Sequence, residues 1–303
     1  MGGNIFNKTA KIRKEDIPPT LDKFYEQLGS VFPNAKKHFG NIAALGSVGK
    51  KDYSGDIDLA ISGDAVKNVE DWGLDKEELK VLFTKFKKRS RTATDKQIIK
   101  RAILDAIADK IDSSNVDIDV EKKGTSSGAL FMAFPQYDSE GNELEAGVQI
   151  DLNLGDLKWL KFAYHSASYK GNVKGLHRTQ LMLALFSNKG YTFSHNYGVK
   201  NKETQEIVAN SPTEAIDLLN NVYNINLTSE ILEDYFKLIA ALRQELPTST
   251  LNGILDNYIR ILDRTRADIP EDIQAYWIEN QERLGLKGKF LPEDSKLTSY
   301  KIQ

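Results

Sequence analysis

Gly46-Ser47-Val48-Gly49-Lys50-Lys51-Asp52-Tyr53-Ser54-Gly55-Asp56-Ile57-Asp58-Leu59-Ala60-Ile61 is the stretch on which the reading of this chain turns. Ile57, Leu59 and Ile61 alternate with Asp56, Asp58 and Ala60, which predicts a strand with one apolar face. Residues two apart share a face, so Asp56 and Asp58 project side by side. Adjacent carboxylates repel and raise each other's pKa unless a cation lies between them. Such a pair of hard oxygen ligands with open positions suits Mg²⁺. Upstream, Gly46-Ser47 offers a tight turn whose N–H groups and hydroxyl can hold phosphate oxygens, with Lys50 and Lys51 adding positive charge. The competing reading is an ordinary half-buried strand whose acids face water. Gly46-x-x-Gly49-Lys50-Lys51 lacks the spacing of a Walker A loop, and no G-x-G-x-x-G occurs.

Outward from this stretch, Leu21, Phe24, Tyr25 and Leu28 predict a helix over 20–29, after the turn signal Pro18-Pro19-Thr20. Residues 76–111 read as helical. Strands are expected at Asn115–Val120, Ala129–Phe134 and Ala146–Leu154, the last two joined by an Asp138–Asn142 hairpin loop. The second half is different: a helix over 174–188 closed by Gly190, then a polar hairpin from Thr192 to Ala209. Ser211-Pro212-Thr213-Glu214 has capping-box spacing and opens another helix. Three more amphipathic helices are expected at 228–246, 250–265 and 270–284. Helix and sheet first, helices last, makes the fold class α+β with a C-terminal helical annex.

A third acid is needed to complete a two-metal site, and two strands compete for it. Asn115-Val116-Asp117-Ile118-Asp119-Val120 is a second Asp-x-Asp, whereas Val148-Gln149-Ile150-Asp151-Leu152-Asn153-Leu154 isolates Asp151 among apolar neighbours. Pattern alone leaves the choice open, although a lone acid in an apolar strand is the costlier to keep without a partner.

The chain of 303 residues has 41 Lys+Arg, 43 Asp+Glu and no cysteine. Thiolate metal sites, disulfides and Cys nucleophiles are therefore excluded. The N-terminal residues carry no apolar signal core, Phe6 spoils a myristoylation match, and no apolar run is long enough for a membrane span, so a cytoplasmic location is expected. Charge is unevenly spread. From Lys80 to Arg101 the chain is net +8, and the remainder is net −10. Within that window Lys85, Lys87, Lys88, Arg89 and Arg91 are candidates for a phosphate-backbone grip, against the plainer reading of a solvated helix face.

GSVGKKDYSGDIDLAIS resembles the Gly-Ser…Asp-x-Asp motif of the polymerase-β-type nucleotidyltransferases, and more narrowly that of family X DNA polymerases. The likeness continues in order. GVQIDLNL is similar to that family's third-carboxylate strand, which selects Asp151 over Asp117 and Asp119. Tyr164-His165-Ser166-Ala167-Ser168 is similar to the stretch lying against the incoming nucleotide's sugar. NKGYTFSHNYGV and ETQEIVANSPTEAIDLLNNVYNI resemble the thumb. The match covers roughly residues 40–225. The chain departs from the family at Gln149, where an Arg is usual, and at His165 and Ala167, which replace an aromatic residue and a Gly. Roughly 40 residues precede the motif here, so the lyase domain and helix-hairpin-helix repeats that precede the palm in repair polymerases are not expected.

The resemblance implies a polymerase-β-like palm in residues 1–158, a thumb-like region in 159–227 and a helical region in 228–303. It implies transfer of a nucleoside monophosphate from ATP, another NTP or a dNTP to a hydroxyl, without a template, on a tRNA or DNA 3′ end. Asp56 and Asp58 would ligate two Mg²⁺ ions (Mn²⁺ substituting), and Asp151 one of them. Gly46, Ser47 and Lys50 would hold the triphosphate, Tyr164 and His165 would flank the sugar, and Asn172 and Arg178 would reach base or phosphate. The alternatives are nucleotidylation of a protein or small-molecule hydroxyl, and a non-catalytic nucleic-acid-binding module on the same fold.

Overall fold

The computed structural model describes residues 5–90, 92–167 and 172–285. The first half runs β1 (Ile12–Arg13), α1 (Ile17–Val31), α2 (Lys36–Phe39), β2 (Ala43–Ala44), β3 (Tyr53–Ser54), β4 (Ile57–Ser62), α3 (Lys76–Arg89), α4 (Asp95–Asp112), β5 (Asp119–Glu121), β6 (Ala129–Tyr137) and β7 (Glu143–Gly155). Five strands form one mixed sheet in the order β2-β4-β7-β6-β5, in which β4 and β7 are parallel and the other neighbours antiparallel. The fold class is α+β.

Alternation sorts the sheet into two faces. Ile57, Leu59 and Ile61 of β4, Ile150 and Leu152 of β7, and Leu130 and Met132 of β6 are buried in one core with Phe24 and Leu28 of α1 and Leu104 and Ile107 of α4. Full burial of each such side chain contributes about 1.5–3 kcal/mol. The opposite face carries Asp58, Ala60 and Ser62 of β4 and Gln149, Asp151 and Asn153 of β7.

The second half runs α5 (Leu157–Ala163), α6 (Gly175–Asn188), β8 (Tyr191–Ser194), β9 (Gly198–Asn201), β10 (Ile207–Ala209), α7 (Pro212–Tyr223), α8 (Ser229–Glu233), α9 (Tyr235–Glu245), α10 (Thr248–Thr265) and α11 (Gln274–Asn280). Strands β8, β9 and β10 make a small antiparallel sheet. A single core extends from Trp159 of α5 through Leu185 and Tyr235 to Trp277 of α11. The residues expected to divide into a thumb-like region and a separate helical annex thus share one core.

Several expected elements shift for identifiable reasons. Helix α1 starts at Ile17 rather than residue 20, because Pro18 and Pro19 occupy its first turn, where a missing N–H costs nothing. The expected 76–111 helix is two helices. Backbone around Ser90 is extended, and Thr94 restarts the helix through a capping box with Gln97. The 228–246 segment likewise breaks at Asp234, whose side chain caps α9 by accepting from Lys237 N. Among the described residues no helix is long and apolar enough to cross a membrane.

Candidate active site

The parallel register of β4 and β7 places Asp58 directly opposite Asp151 and Ala60 opposite Asn153. Asp56 stands one residue before β4, two residues from Asp58, so it continues the same polar edge. This geometry brings Asp151, and neither Asp117 nor Asp119, beside Asp58. β7 is the neighbour of β4, whereas β5 lies at the far edge beyond β6, and Asp119 on β5 is paired across to Ala133. Asp117 precedes that strand and is engaged with Gln27, whose amide donates to its carboxylate at 3.3 Å.

The three carboxylates feel one another. Asp58 is pushed well above the usual carboxylate range, first by burial, then by the charges of Asp56 and Asp151, with hydrogen bonding from Asn153 opposing the shift. Burial raises Asp151 to about 7, although the Gln149 amide donates to its Oδ1 at 2.8 Å and Asp56 pushes further upward. Asp56 is raised, chiefly by burial. These are oxygen donors of the kind that hold Mg²⁺ or Mn²⁺. Among the described residues no group of three or more His, Asp or Glu side chains stands in metal-holding geometry. In Asp151, one carboxylate oxygen is instead turned to Gln149. The donor chemistry fits a divalent cation, and the carboxylates' mutual repulsion is what such a cation relieves.

The glycine turn closes over this edge. Leu45 N donates to Asp58 O at 2.9 Å, and Gly46 follows with φ +62°, a conformation that favours glycine. A Cβ on Gly46 would lie 3.4 Å from Asp58 Oδ2 and 3.7 Å from the Tyr164 carbonyl oxygen. The turn continues with Lys50 N donating to Ser47 O at 3.0 Å. Lys50 Nζ donates to Ser166 O at 2.8 Å, clasping the segment after α5. Gly46 and the Tyr164 carbonyl thus lie beside Asp58, and Lys50 ties the glycine turn to the segment that carries His165.

Tyr164 has a second engagement. Its hydroxyl donates to Asn153 Oδ1 at 2.7 Å, and its ring lies 4.9 Å from that of His195. Burial and the nearby Asp58 and Asp151 charges raise its pKa, so the phenol stays a donor. Burial, then the Arg178 charge, pushes His195 down to about 4, leaving it neutral. His165 is lowered for the same two reasons, with Lys50 adding to the effect.

Asn172 and Arg178, expected to reach base or phosphate, bond to backbone carbonyls in this structure. Asn172 Nδ2 donates to Ile269 O at 2.8 Å, tying the start of α6 to the C-terminal helices. Arg178 has no exposed surface, and its guanidinium donates to the carbonyls of Leu232 at 2.6 Å, Phe162 at 2.8 Å and Ala163 at 3.3 Å. Through Nε and Nη1 it joins α5, α6 and α8 from within. Lys85, Lys87, Lys88 and Arg89 are exposed on the last turns of α3, with Lys87 paired to Asp95. Arg91 and Ser168 lie outside the described residues.

Asn153 and Asn196 were not foreseen. Asn153 lies two residues beyond Asp151 on β7, so strand alternation marks its face. Asn196, in the β8–β9 turn, approaches Asn153 Oδ1 at 3.5 Å and donates to Ser127 O at 2.8 Å, with no local sequence signal. No protein-family model and no curated protein matches this chain.

Proposed function

We propose that this chain is a Mg²⁺-dependent nucleotidyltransferase on a polymerase-β-like palm. It moves a nucleoside monophosphate from an NTP or dNTP to a hydroxyl, the acceptor being a nucleic acid 3′ end. The observation that carries this reading is Asp58 opposite Asp151 in a parallel strand pair, beneath a positive-φ glycine turn. That combination of clustered acids and a glycine turn beside them suits a triphosphate and has little use in a plain half-buried sheet.

Asp56 and Asp58 would hold two Mg²⁺ ions and Asp151 one of them. Bound there, Mg²⁺ supplies Lewis-acid stabilisation of the attacking and leaving oxygens. The acceptor hydroxyl attacks the α-phosphorus, the bond to the bridging oxygen breaks, and pyrophosphate leaves. Asp151 takes up the hydroxyl proton. The Gly46-Ser47 turn binds the β- and γ-phosphates through N–H groups and hydroxyl, and Lys50 offsets charge on the departing pyrophosphate. Tyr164 fixes Asn153 and thereby the polar face on which the acids stand, and His165 lies alongside the sugar.

The test offers the protein, with Mg²⁺, each labelled NTP or dNTP and a panel of total RNA, DNA oligonucleotides and bulk protein. Label entering nucleic acid supports the proposal. Label entering protein alone refutes the acceptor, and no label in any acceptor refutes the activity. A crystal soaked in Mn²⁺ supplies the second readout, with anomalous density at the three carboxylates expected, and density beside Asp117 instead contradicting the site.

A further inference from the structure

Beyond the far ends of β4 and β7 lies a cleft of about 1340 Å³, lined by parts of α3, α4, α5 and the β8–β9 turn. Ser62 and Gly155 at its edge stand four residues beyond Asp58 and Asp151 on the same strands. That spacing keeps them on the carboxylate face, roughly 13 Å along the strand direction. The cleft is thus a neighbour of the carboxylate site and does not include it.

Its lining is richer in lysine than in acid, with Lys67, Lys76, Lys80, Lys96, Lys100 and Lys158 against Asp64 and Asp156. Lys67, Lys76 and Lys80 at its rim pair with Asp64, Glu70 and Glu77. Lys96, Lys100 and Lys158 also line it, and among the described residues these three make no ion pair. Lys96 and Lys100 are one turn apart on α4, on one side of the helix. Lys100 Nζ donates to Leu154 O and Asn196 O, both at 3.0 Å, and lies 4.7 Å from the centre of the Tyr197 ring. Burial, then repulsion by Lys96, pushes Lys100 down to about 8, with the Asp156 charge opposing the shift.

The walls add flat apolar surface. Phe83 and Tyr197 are half-buried, and Ile99 is 49% exposed although it is large and apolar. The volume exceeds the roughly 300–1000 Å³ of small-molecule pockets. Unpaired lysines with aromatic surface between them are the combination that holds phosphates and stacks bases. An acidic peptide would satisfy the lysines but leave the rings without stacking partners.

The geometry points to this cleft as a binding site for single-stranded nucleic acid, with Lys96 and Lys158 on phosphates, the carbonyl-held Lys100 adding charge behind them, and Phe83, Ile99 and Tyr197 against bases. As the path of the acceptor strand it rests on the nucleotidyl-transfer reading, and as a binding site it does not. Asn196 links the two places, because its carbonyl holds Lys100 while its side chain meets Asn153 beside the carboxylates.

Fluorescence anisotropy tests this with the full chain and a labelled oligothymidylate or oligouridylate of about twelve nucleotides, near the site size of single-strand binders. EDTA is present so that no transfer occurs, and salt is varied. The Lys96→Ala/Lys158→Ala double variant changes two exposed residues and is expected to bind ~10-fold more weakly, its log–log salt slope flattened by about 1.4. Lys100→Gln is expected to weaken binding further, with circular dichroism confirming that it folds. An unchanged salt slope in the folded double variant overturns the proposal, as does polyglutamate competing as well as the oligonucleotide. Strand binding through these lysines without any transfer of label keeps the cleft and removes only the enzymatic reading. Transfer that is intact while the lysine variants bind normally removes the cleft alone.

Discussion

Acidification is predicted to loosen the candidate site through His195. Its imidazole packs between Tyr164, at 4.9 Å, and Phe193, at 5.8 Å between ring centres. Burial and the Arg178 charge lower it from 6.5 to about 4. A base whose folded pKa is depressed stabilises the fold fully above its unfolded pKa. That stability is lost as pH falls towards the folded value, because the unfolded chain binds the proton more readily. The window is therefore from about pH 6.5 down to about pH 4. Between about pH 7.5 and about pH 5 the linkage amounts to about 2 kcal/mol, at about 1.4 kcal/mol per pH unit. His165 and His177 are lowered too, so the parent chain alone does not isolate the effect. His195→Phe does, since it keeps an aromatic ring and removes the proton site. Urea unfolding of both proteins at the two pH values gives the double difference. The variant should lose about 2 kcal/mol less than the parent on acidification. Equal losses in the two proteins would refute the assignment of His195 as a neutral packing group under Tyr164.

Gly46→Ala places a Cβ at positive φ, 3.4 Å from Asp58 Oδ2, and should cost about 1 kcal/mol in unfolding free energy while lowering transfer activity. Arg178→Met removes a buried guanidinium that donates to the Leu232, Phe162 and Ala163 carbonyls and should destabilise by about 3–5 kcal/mol in chemical denaturation. If instead it abolishes nucleotide binding in a protein of parental stability, the structural role of Arg178 is refuted. Mg²⁺ at about a hundred times its Kd should stabilise the chain by about 2.7 kcal/mol in a thermal melt, and the gain should vanish in Asp58→Asn. A variant that keeps the full gain would place the ion elsewhere.

Legibility in the sequence followed how local each determinant is. Alternation in Ile57–Ile61 disclosed both the strand and the face carrying Asp56 and Asp58, because both depend on near neighbours only. The capping box at Ser211 disclosed the start of α7 for the same reason. The choice of Asp151 over Asp119 could not be made from residue pattern, since it depends on which strand lies beside β4, a non-local fact. The fate of Arg178 was hidden for a similar reason. An arginine near a helix start looks available for a phosphate until α8 is packed against it and offers Leu232 O. The basic window divides on folding. Lys85 and Lys88 remain on the surface, whereas Lys100 turns to the Leu154 and Asn196 carbonyls and Arg101 lies 4.0 Å from the Phe86 ring. Sequence counts its charge as one patch, and packing makes it two.

The most direct test of the central claim is transfer of α-labelled nucleotide to a nucleic acid 3′ end, with pyrophosphate measured in parallel. The parent chain with Mg²⁺ should release one pyrophosphate for each nucleotide added. Asp58→Asn and Asp151→Asn should each lose at least about 10³-fold in rate, the scale of removing a principal electrostatic element of a site. Both variants should remain folded, as judged by circular dichroism. Folded variants that transfer label at the parental rate would contradict the carboxylate site outright.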